Sequence, residues 1–176
     1  MSDPSHTSMP SGPRVSIRRA VAADAPLILG FVKGLAEYER EPHAVVATVE
    51  DFLRDGFGDA PLFYVFIADV HEGETVKPAG FALYFFQYTT WRGRAVLYLE
   101  DLFVDPAFRG LGVGRMLLRE LAREAVARKC AAVKWLVLDW NVDAIGFYER
   151  LGARILKEWQ PVRIDGEAMV ALAEGT

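Results

Sequence analysis

Apolar residues recur along the chain with two periods, one typical of strands and one typical of helices. Alternating or continuous apolar stretches predict strands at Arg14–Arg19, Phe63–Val70, Ala79–Gln87, Ala95–Val104, Val133–Leu138, Ile155–Pro161 and Glu167–Leu172. Helical spacing predicts helices from Asp24 to about Glu39, from Thr48 to about Gly56, from Gly112 to about Lys129, and between Asn141 and Gly152. We therefore expect an α/β (α+β) fold, a mixed central sheet of about six or seven strands flanked by about four helices.

The segments between these elements are short. His71–Pro78 is predicted to be a polar loop, Thr90–Gly93 a turn, and Asp165-Gly166 the turn between the last two strands. Residues 1–13 are rich in Ser and Pro and are expected to be a disordered tail. Residues 14–174 are expected to form one domain.

Composition narrows the class of protein. The chain has 176 residues, of which 52% are hydrophobic, and this suits one domain with a sizeable core. A net charge of -4 gives no broad basic surface for nucleic acid, but it is compatible with a small cationic substrate.

The single Cys130 favours a reducing compartment. We see no signal peptide and no apolar run long enough for a membrane span, so a cytoplasmic location is expected. His6, His43 and His71 lack metal-ligand spacing, so no metal site is predicted.

A glycine-rich turn follows the strand that ends at Val104. The segment Arg109-Gly110-Leu111-Gly112-Val113-Gly114-Arg115 opens a helix, whose free N–H groups and positive dipole end favour an anion. The spacing does not match the dinucleotide motif G-x-G-x-x-G or the P-loop, which needs a Lys. The turn therefore predicts a phosphate site of another kind.

Two motifs together point to a family. R-x-x-G-x-G is satisfied by Arg109, Gly112 and Gly114, and it resembles the pyrophosphate-binding motif of the GCN5-related N-acetyltransferases (GNAT). The stretch Asn141–Ala153 is similar to the second motif of that family. Within the family, the doublets Tyr38-Glu39 and Glu100-Asp101 most resemble the diamine (spermidine/spermine) and thialysine acetyltransferases.

The resemblance implies acetyl-CoA as cosubstrate, a small primary amine as acceptor, and a homodimer. It implies that backbone groups of Leu102, Phe103 and Val104 bind the pantetheine arm and acetyl carbonyl, and that Arg109, Gly110, Leu111, Gly112, Val113, Gly114 and Arg115 hold the pyrophosphate. Asn141, Asp143 and Ala144 would contact the CoA arm further along. The amine pocket would be lined by Tyr38, Glu39, Trp91, Glu100 and Asp101.

The expected chemistry agrees with these residue types. A primary amine has a pKa of about 10.4, so it must lose a proton before it can attack. Glu100 is the predicted base, Tyr148 the predicted acid for the leaving thiolate, and the backbone near Val104 the predicted oxyanion donor. No Ser, Cys or His is placed as a covalent nucleophile, which favours direct transfer in a ternary complex.

Several alternatives stay open. Adjacent residues on a strand point to opposite faces, so Glu100 and Asp101 share a pocket only if a bulge intervenes, and the resemblance implies one here. The segment Gln87–Trp91 carries no carboxylate where the diamine enzymes have one, so lysine-like acceptors are as plausible as polyamines. The other candidate functions are acetylation of a protein or peptide amine, and non-catalytic binding of acetyl-CoA.

Overall fold

The computed structural model describes residues 13–175. Five strands form one sheet: β1 (Arg14–Arg19), β2 (Tyr64–Glu72), β3 (Thr75–Thr89), β4 (Arg94–Val104) and β5 (Val133–Lys134). Five α-helices accompany it: α1 (Ala25–Tyr38), α2 (Val49–Phe57), α3 (Val113–Ala127), α4 (Val142–Arg150) and α5 (Gly166–Glu174). The mixed α/β fold is confirmed, with fewer strands and one more helix than expected. Of the predicted tail, all but Pro13 lies outside the described residues.

The strands follow one another in chain order across the sheet. β1 to β4 pair antiparallel, and β5 pairs parallel to β4 through Leu97 and Tyr98. Strands β2 and β3 contain continuous buried stretches, so both faces of the sheet pack against other elements. On one face α3 packs through Val113, Leu117 and Leu121, while the opposite face packs against α1 and α2.

Strand β4 contains a β-bulge at the two adjacent carboxylates. Leu83 of β3 pairs with Asp101 and Tyr84 pairs with Leu99, so Glu100 is an extra residue in the ladder. A bulge reverses the alternation of side chains beyond it. Leu99 lies on the α3 face, whereas Phe103, four residues further, lies on the α1 face.

Two sequence predictions were wrong in part. The expected loop His71–Pro78 belongs largely to strands, because the two-residue turn Gly73-Glu74, with Gly73 at a positive φ of 62°, lets β2 and β3 pair out to Glu72 and Thr75. The strand expected over Val133–Leu138 ends at Lys134. Its pairing with β4 stops at Tyr98, just before the bulge bends that strand.

The two strands expected at the C-terminus are absent from the described residues. Ile155–Pro161 has no regular structure, and most of the segment expected as the last strand lies in α5. The sequence of α5, GEAMVALAE, is rich in Ala, Glu, Met and Leu, which are strong helix formers. Asp165 precedes the helix and Gly175 ends it in a left-handed conformation, as is typical of a helix C-terminus.

Contacts divide the chain into two compact units. The first extends to Leu136 and contains the whole sheet with α1, α2 and α3. The second begins at Val137 and contains α4 and α5. The single acetyltransferase domain over residues 14–174 stays a prediction.

Candidate active site

The bulge in β4 brings two predicted site carboxylates to one face of the sheet. Counting back from Phe103, Asp101 lies on the α1 face. Leu97 and Leu99 lie on the α3 face. Tyr98, which lies between them, and Glu100, which follows them, therefore lie on the α1 face too. Without the extra residue, Asp101 would point into the core beneath α3.

The environment of Asp101 changes its acidity. Asp101 is half-buried, whereas Glu100 is exposed. Burial raises the pKa of Asp101 to about 6, and the negative charges of Glu100 and Glu39 add to the effect. Burial also raises the pKa of Glu39. A carboxylate with a pKa near neutrality is suited to exchange a proton at physiological pH.

Helix α1 ends close to these carboxylates because it packs tightly on β4. A Cβ atom built on Gly34 would lie 2.9 Å from the ring of Phe103, so only Gly allows this approach. The predicted pocket residues Tyr38 and Glu39 follow at the end of the helix. The charge of Glu39 acts on Asp101, so both belong to one electrostatic cluster.

The end of α1 also contacts the glycine-rich turn. The guanidinium carbon of Arg109 lies 5.1 Å from the ring centroid of Tyr38. Arg109 Nε donates to the carbonyl oxygen of Val104 at 3.2 Å. A residue predicted to hold phosphate therefore touches a residue predicted to bind the amine.

The glycine-rich turn has the geometry of a helix N-terminus that is open to solvent. Gly110 and Gly112 have φ of 81° and 78°, conformations that other residues rarely adopt. Gly112 is the N-cap of α3, and its carbonyl accepts from Met116 N at 3.0 Å. A Cβ atom on either glycine would meet no atom within 4 Å, so space is open above the turn. Buried Val113 anchors the turn in the core, while Arg109, Gly110, Leu111, Gly112 and Arg115 are exposed.

One edge of β4 is available beside this turn. Within the part of the chain that the structure describes, β4 has no strand partner on its outer edge beyond Tyr98. This edge includes the predicted pantetheine-binding residues Leu102, Phe103 and Val104. An unpaired strand edge presents backbone N–H and C=O groups that can bond to an extended ligand.

Trp91 lies on the turn between β3 and β4 and is 85% exposed. It therefore lies at the tip of the hairpin whose second strand, β4, carries Glu100 and Asp101.

The second motif lies in the second unit. Asn141 is the N-cap of α4, and its Oδ1 accepts from the backbone N of Ala144 at 3.3 Å. Asp143 lies in the first turn of α4. Tyr148 is buried in this helix, and its ring centroid is 5.4 Å from that of Phe147.

Within residues 13–175, no group of three or more His, Cys, Asp or Glu side chains has a geometry that could hold a metal ion. No helix in this range is long and apolar enough to cross a membrane.

A strand with a carboxylate-bearing bulge, followed by a glycine-rich turn into a helix, is the arrangement that the sequence resemblance implies. A model of the Acetyltransferase (GNAT) family matches residues 26–153. The chain belongs to the GNAT acetyltransferase family. Both sequence motifs and all the predicted site residues lie within the matched range.

Similarity to individual proteins supports this family assignment. The chain is 39% identical to thialysine N-epsilon-acetyltransferase from Bos taurus over 90% of this chain and 97% of the relative. It is 41% identical to the human spermidine/spermine N(1)-acetyltransferase-like protein 1 over 89% of this chain but only 23% of that longer protein. Among solved structures, the integron cassette protein VCH_CASS6 from the V. cholerae mobile metagenome aligns with a TM-score of 0.74, 27% identity, and coverage of 91% of this chain and 98% of that one.

The bulge was expected only from the family resemblance, although the residues carry a signal for it: the apolar positions that face α3 change from odd numbers (Leu97, Leu99) to even numbers (Leu102, Val104) across the carboxylates. Sequence reasoning missed the contact between Arg109 and Tyr38, because it joins residues far apart in the chain.

Proposed function

We propose that the protein transfers the acetyl group of acetyl-CoA to the primary amine of a small, lysine-like or polyamine acceptor. As a GNAT family member, it is an acetyl-CoA-dependent N-acetyltransferase. The observation that carries the proposal is the carboxylate cluster of Glu39, Glu100 and Asp101, beside the open edge of β4 and the glycine-rich turn.

The cofactor side of the proposal is supported by the chemistry of the turn. A helix leaves its first N–H groups without intrahelical partners, and α3 begins directly after two glycines at positive φ. The pyrophosphate would accept from these groups and from the arginines that flank them. The amides of the pantetheine arm would bond to the backbone of Leu102–Val104, as a short additional strand would.

The amine side is supported by electrostatics. An ammonium group binds next to carboxylates, and removal of its proton needs a base whose pKa is not far below neutrality. Glu100 is the base predicted from sequence, and the raised pKa of its neighbour Asp101 supports a share for Asp101 in this role. We propose that the pair binds the ammonium and accepts its proton.

The free amine would then attack the thioester carbonyl carbon. The C–N bond forms as the carbonyl becomes an oxyanion, which would accept from a backbone N–H near Val104. The attack leaves two protons on the nitrogen, which passes one to solvent, and collapse of the intermediate then breaks the C–S bond. We propose that Tyr148 gives its proton to the thiolate, an assignment that rests on the family motif.

Direct transfer is favoured over a covalent acetyl-enzyme. Cys130 is half-buried, and burial raises the pKa of its thiol. A raised pKa keeps the thiol protonated and therefore a poor nucleophile.

The acceptor class is inferred from two considerations. One relative is named for thialysine and another for spermidine and spermine. The hairpin segment Gln87–Trp91 has no carboxylate, which leaves fewer negative partners for a long polycation. We therefore propose an acceptor with one amine near the carboxylates and a short hydrocarbon chain.

The test is release of free CoA thiol from acetyl-CoA with a panel of acceptors: thialysine, lysine, ornithine, putrescine, spermidine and a lysine-containing peptide. We expect saturable turnover with one of the small amines and strong loss in Glu100→Gln or Asp101→Asn, while acetyl-CoA binding is retained. Turnover of the peptide alone would identify a protein acetyltransferase. Acetyl-CoA binding without turnover of any amine would contradict the proposed function.

The resemblance also leads us to propose a homodimer in the cytoplasm. Sedimentation of the purified chain should give twice the chain mass of 19.6 kDa. A species of single-chain mass at micromolar concentration would contradict the dimer.

A further inference from the structure

An aromatic pair lies on the same hairpin face as the two carboxylates. Phe85 of β3 and Tyr98 of β4 are directly opposite in the ladder, and their ring centroids are 5.1 Å apart. We propose that this pair is the surface along which the hydrocarbon chain of the acceptor lies, and that Tyr98 determines the chain length the enzyme prefers. This inference rests on the proposed function, because it describes the same acceptor site.

The alternation of the strands places the pair. Tyr84 is buried in the core beneath α3 and Phe86 packs against it, so Phe85 between them points to the opposite face. Leu97 and Leu99 also belong to that core, so Tyr98 points to the same face as Phe85.

The pair lies outside the core that α1 and α2 form on this face of the sheet. On this face Phe81, Leu83 and Phe103 are buried in the core that includes residues of α1 and α2. Phe85 and Tyr98 are outside that core and only half-buried. Two adjacent rings with an accessible side are an apolar surface on which methylene groups can pack.

The position of Tyr98 relative to the carboxylates fits a short chain. Residues two apart on one face of a strand are about 6.8 Å apart, a distance that an extended chain of about four or five carbons covers. Tyr98 and Glu100 are two such residues of β4. An amine at the carboxylates would therefore have its following carbons on the tyrosine ring.

Tyr98 also stays uncharged at physiological pH. Burial raises the pKa of its hydroxyl, and the negative charge of Glu100 raises it further. A neutral ring attracts both methylene groups and, through its face, a second ammonium group further along the chain.

The experiment uses linear α,ω-diamines of two to six carbons with the full-length chain. The specificity constant kcat/KM is measured by CoA-thiol release, and the Kd of each diamine by calorimetry in the presence of CoA. In the native protein, we expect both to improve about three- to fourfold for each methylene that reaches the ring, up to a preferred length. In Tyr98→Ala this dependence should fall below about twofold per methylene.

Three variants serve as comparisons. Tyr98→Phe keeps the ring and should keep the native dependence. Tyr88→Ala makes the same truncation on the same hairpin but on the opposite face, where Tyr88 is 70% exposed, and it should also behave as native. Tyr98→Leu keeps an apolar side chain and should lose about half of the dependence on a logarithmic scale. It provides the test if the alanine variant does not fold.

The outcomes separate this inference from the proposed function. The inference would be overturned if folded Tyr98→Ala or Tyr98→Leu kept the native chain-length dependence. It would also be overturned if the native protein turned over all diamines equally. Either result would leave acetyl transfer intact. Diamines that bind with the expected dependence would support the aromatic surface even if no amine of the acceptor panel were acetylated, an outcome that would contradict the proposed function. Failure of every diamine to bind would overturn the inference, and turnover of thialysine, lysine or ornithine would then leave the proposed function standing.

Discussion

Replacing Asp101 by Asn removes a half-buried carboxylate, and we expect the folded protein to become more stable at neutral pH. The pKa of Asp101 is raised from 3.8 to about 6 in the folded chain. The folded state therefore binds this proton more tightly than the unfolded state does. Between about pH 4 and pH 6 the native protein loses stability as the pH rises, because folding then requires a carboxylate to lose its solvation.

The size of the effect follows from the shift. Each pKa unit corresponds to about 1.36 kcal/mol, so a shift of about two units sets an upper limit near 3 kcal/mol. Asp101 retains some exposure to solvent, which screens its charge, so we expect about 1–2 kcal/mol. For a chain of this size, that corresponds to a rise in Tm of roughly 2–8 °C.

Urea unfolding of the native protein and of Asp101→Asn at pH 4, 5, 6, 7 and 8 measures the free energy of unfolding of each. The difference in the free energy of unfolding between the two should be near zero at pH 4 and should reach its maximum by about pH 7. Asp59→Asn is the matched control, because Asp59 is exposed in a bend, and its difference should stay small at every pH. If Asp101→Asn is no more stable than the native protein at pH 8, or if the difference does not change with pH, the reasoning about burial is refuted.

Three further predictions concern the cofactor side and its link to the amine. Gly112→Asp places a charged side chain where φ is positive, so CoA binding by calorimetry should weaken at least tenfold (about 1.4 kcal/mol), and unchanged binding would refute the phosphate site. Tyr148→Phe should lower kcat about a hundredfold with CoA affinity within about twofold, and an unchanged kcat would remove Tyr148 as the acid. Arg109→Gln and Tyr38→Leu form a double-mutant cycle across the cation–π contact. The free energies derived from amine KM and from CoA Kd should each show a coupling of about 0.5–1 kcal/mol between the two changes. Purely additive effects would show that the two sites are independent.

Much of the site could be predicted because its signals are local. A tight turn at Gly110 and Gly112 could be expected because glycine adopts a positive φ without steric cost, and the helix start follows from the apolar spacing after them. Strand β4 was predicted within one residue of its observed bounds. Its bulge could also have been found, since the core-facing apolar residues change phase across Glu100.

What could not be predicted depends on contacts between distant segments. The raised pKa of Asp101 needs burial together with the approach of Glu39 at the end of α1, about sixty positions earlier in the chain. That approach in turn depends on Gly34 packing against Phe103. Neither fact is visible in the residues near Asp101.

The C-terminal error has a different cause. The residues Glu167–Leu172 were assigned to a strand because a turn signal and apolar residues suggested a final hairpin. Their helix propensity, with Ala, Met and Leu close together, favours the helix that the structure contains. Local propensity, which the hairpin interpretation underweighted, was the better guide in this segment.

The most direct test of the account is the pH dependence of kcat/KM for the best small amine acceptor. If the carboxylates bind the ammonium form and then accept its proton, log kcat/KM should rise with pH to a plateau near pH 6–7, set by a group whose pKa is about 6. In Asp101→Asn this limb should shift or disappear. If log kcat/KM instead rises with unit slope to about pH 10, the enzyme uses only amine already deprotonated in solution, and the central claim for the carboxylate cluster is contradicted.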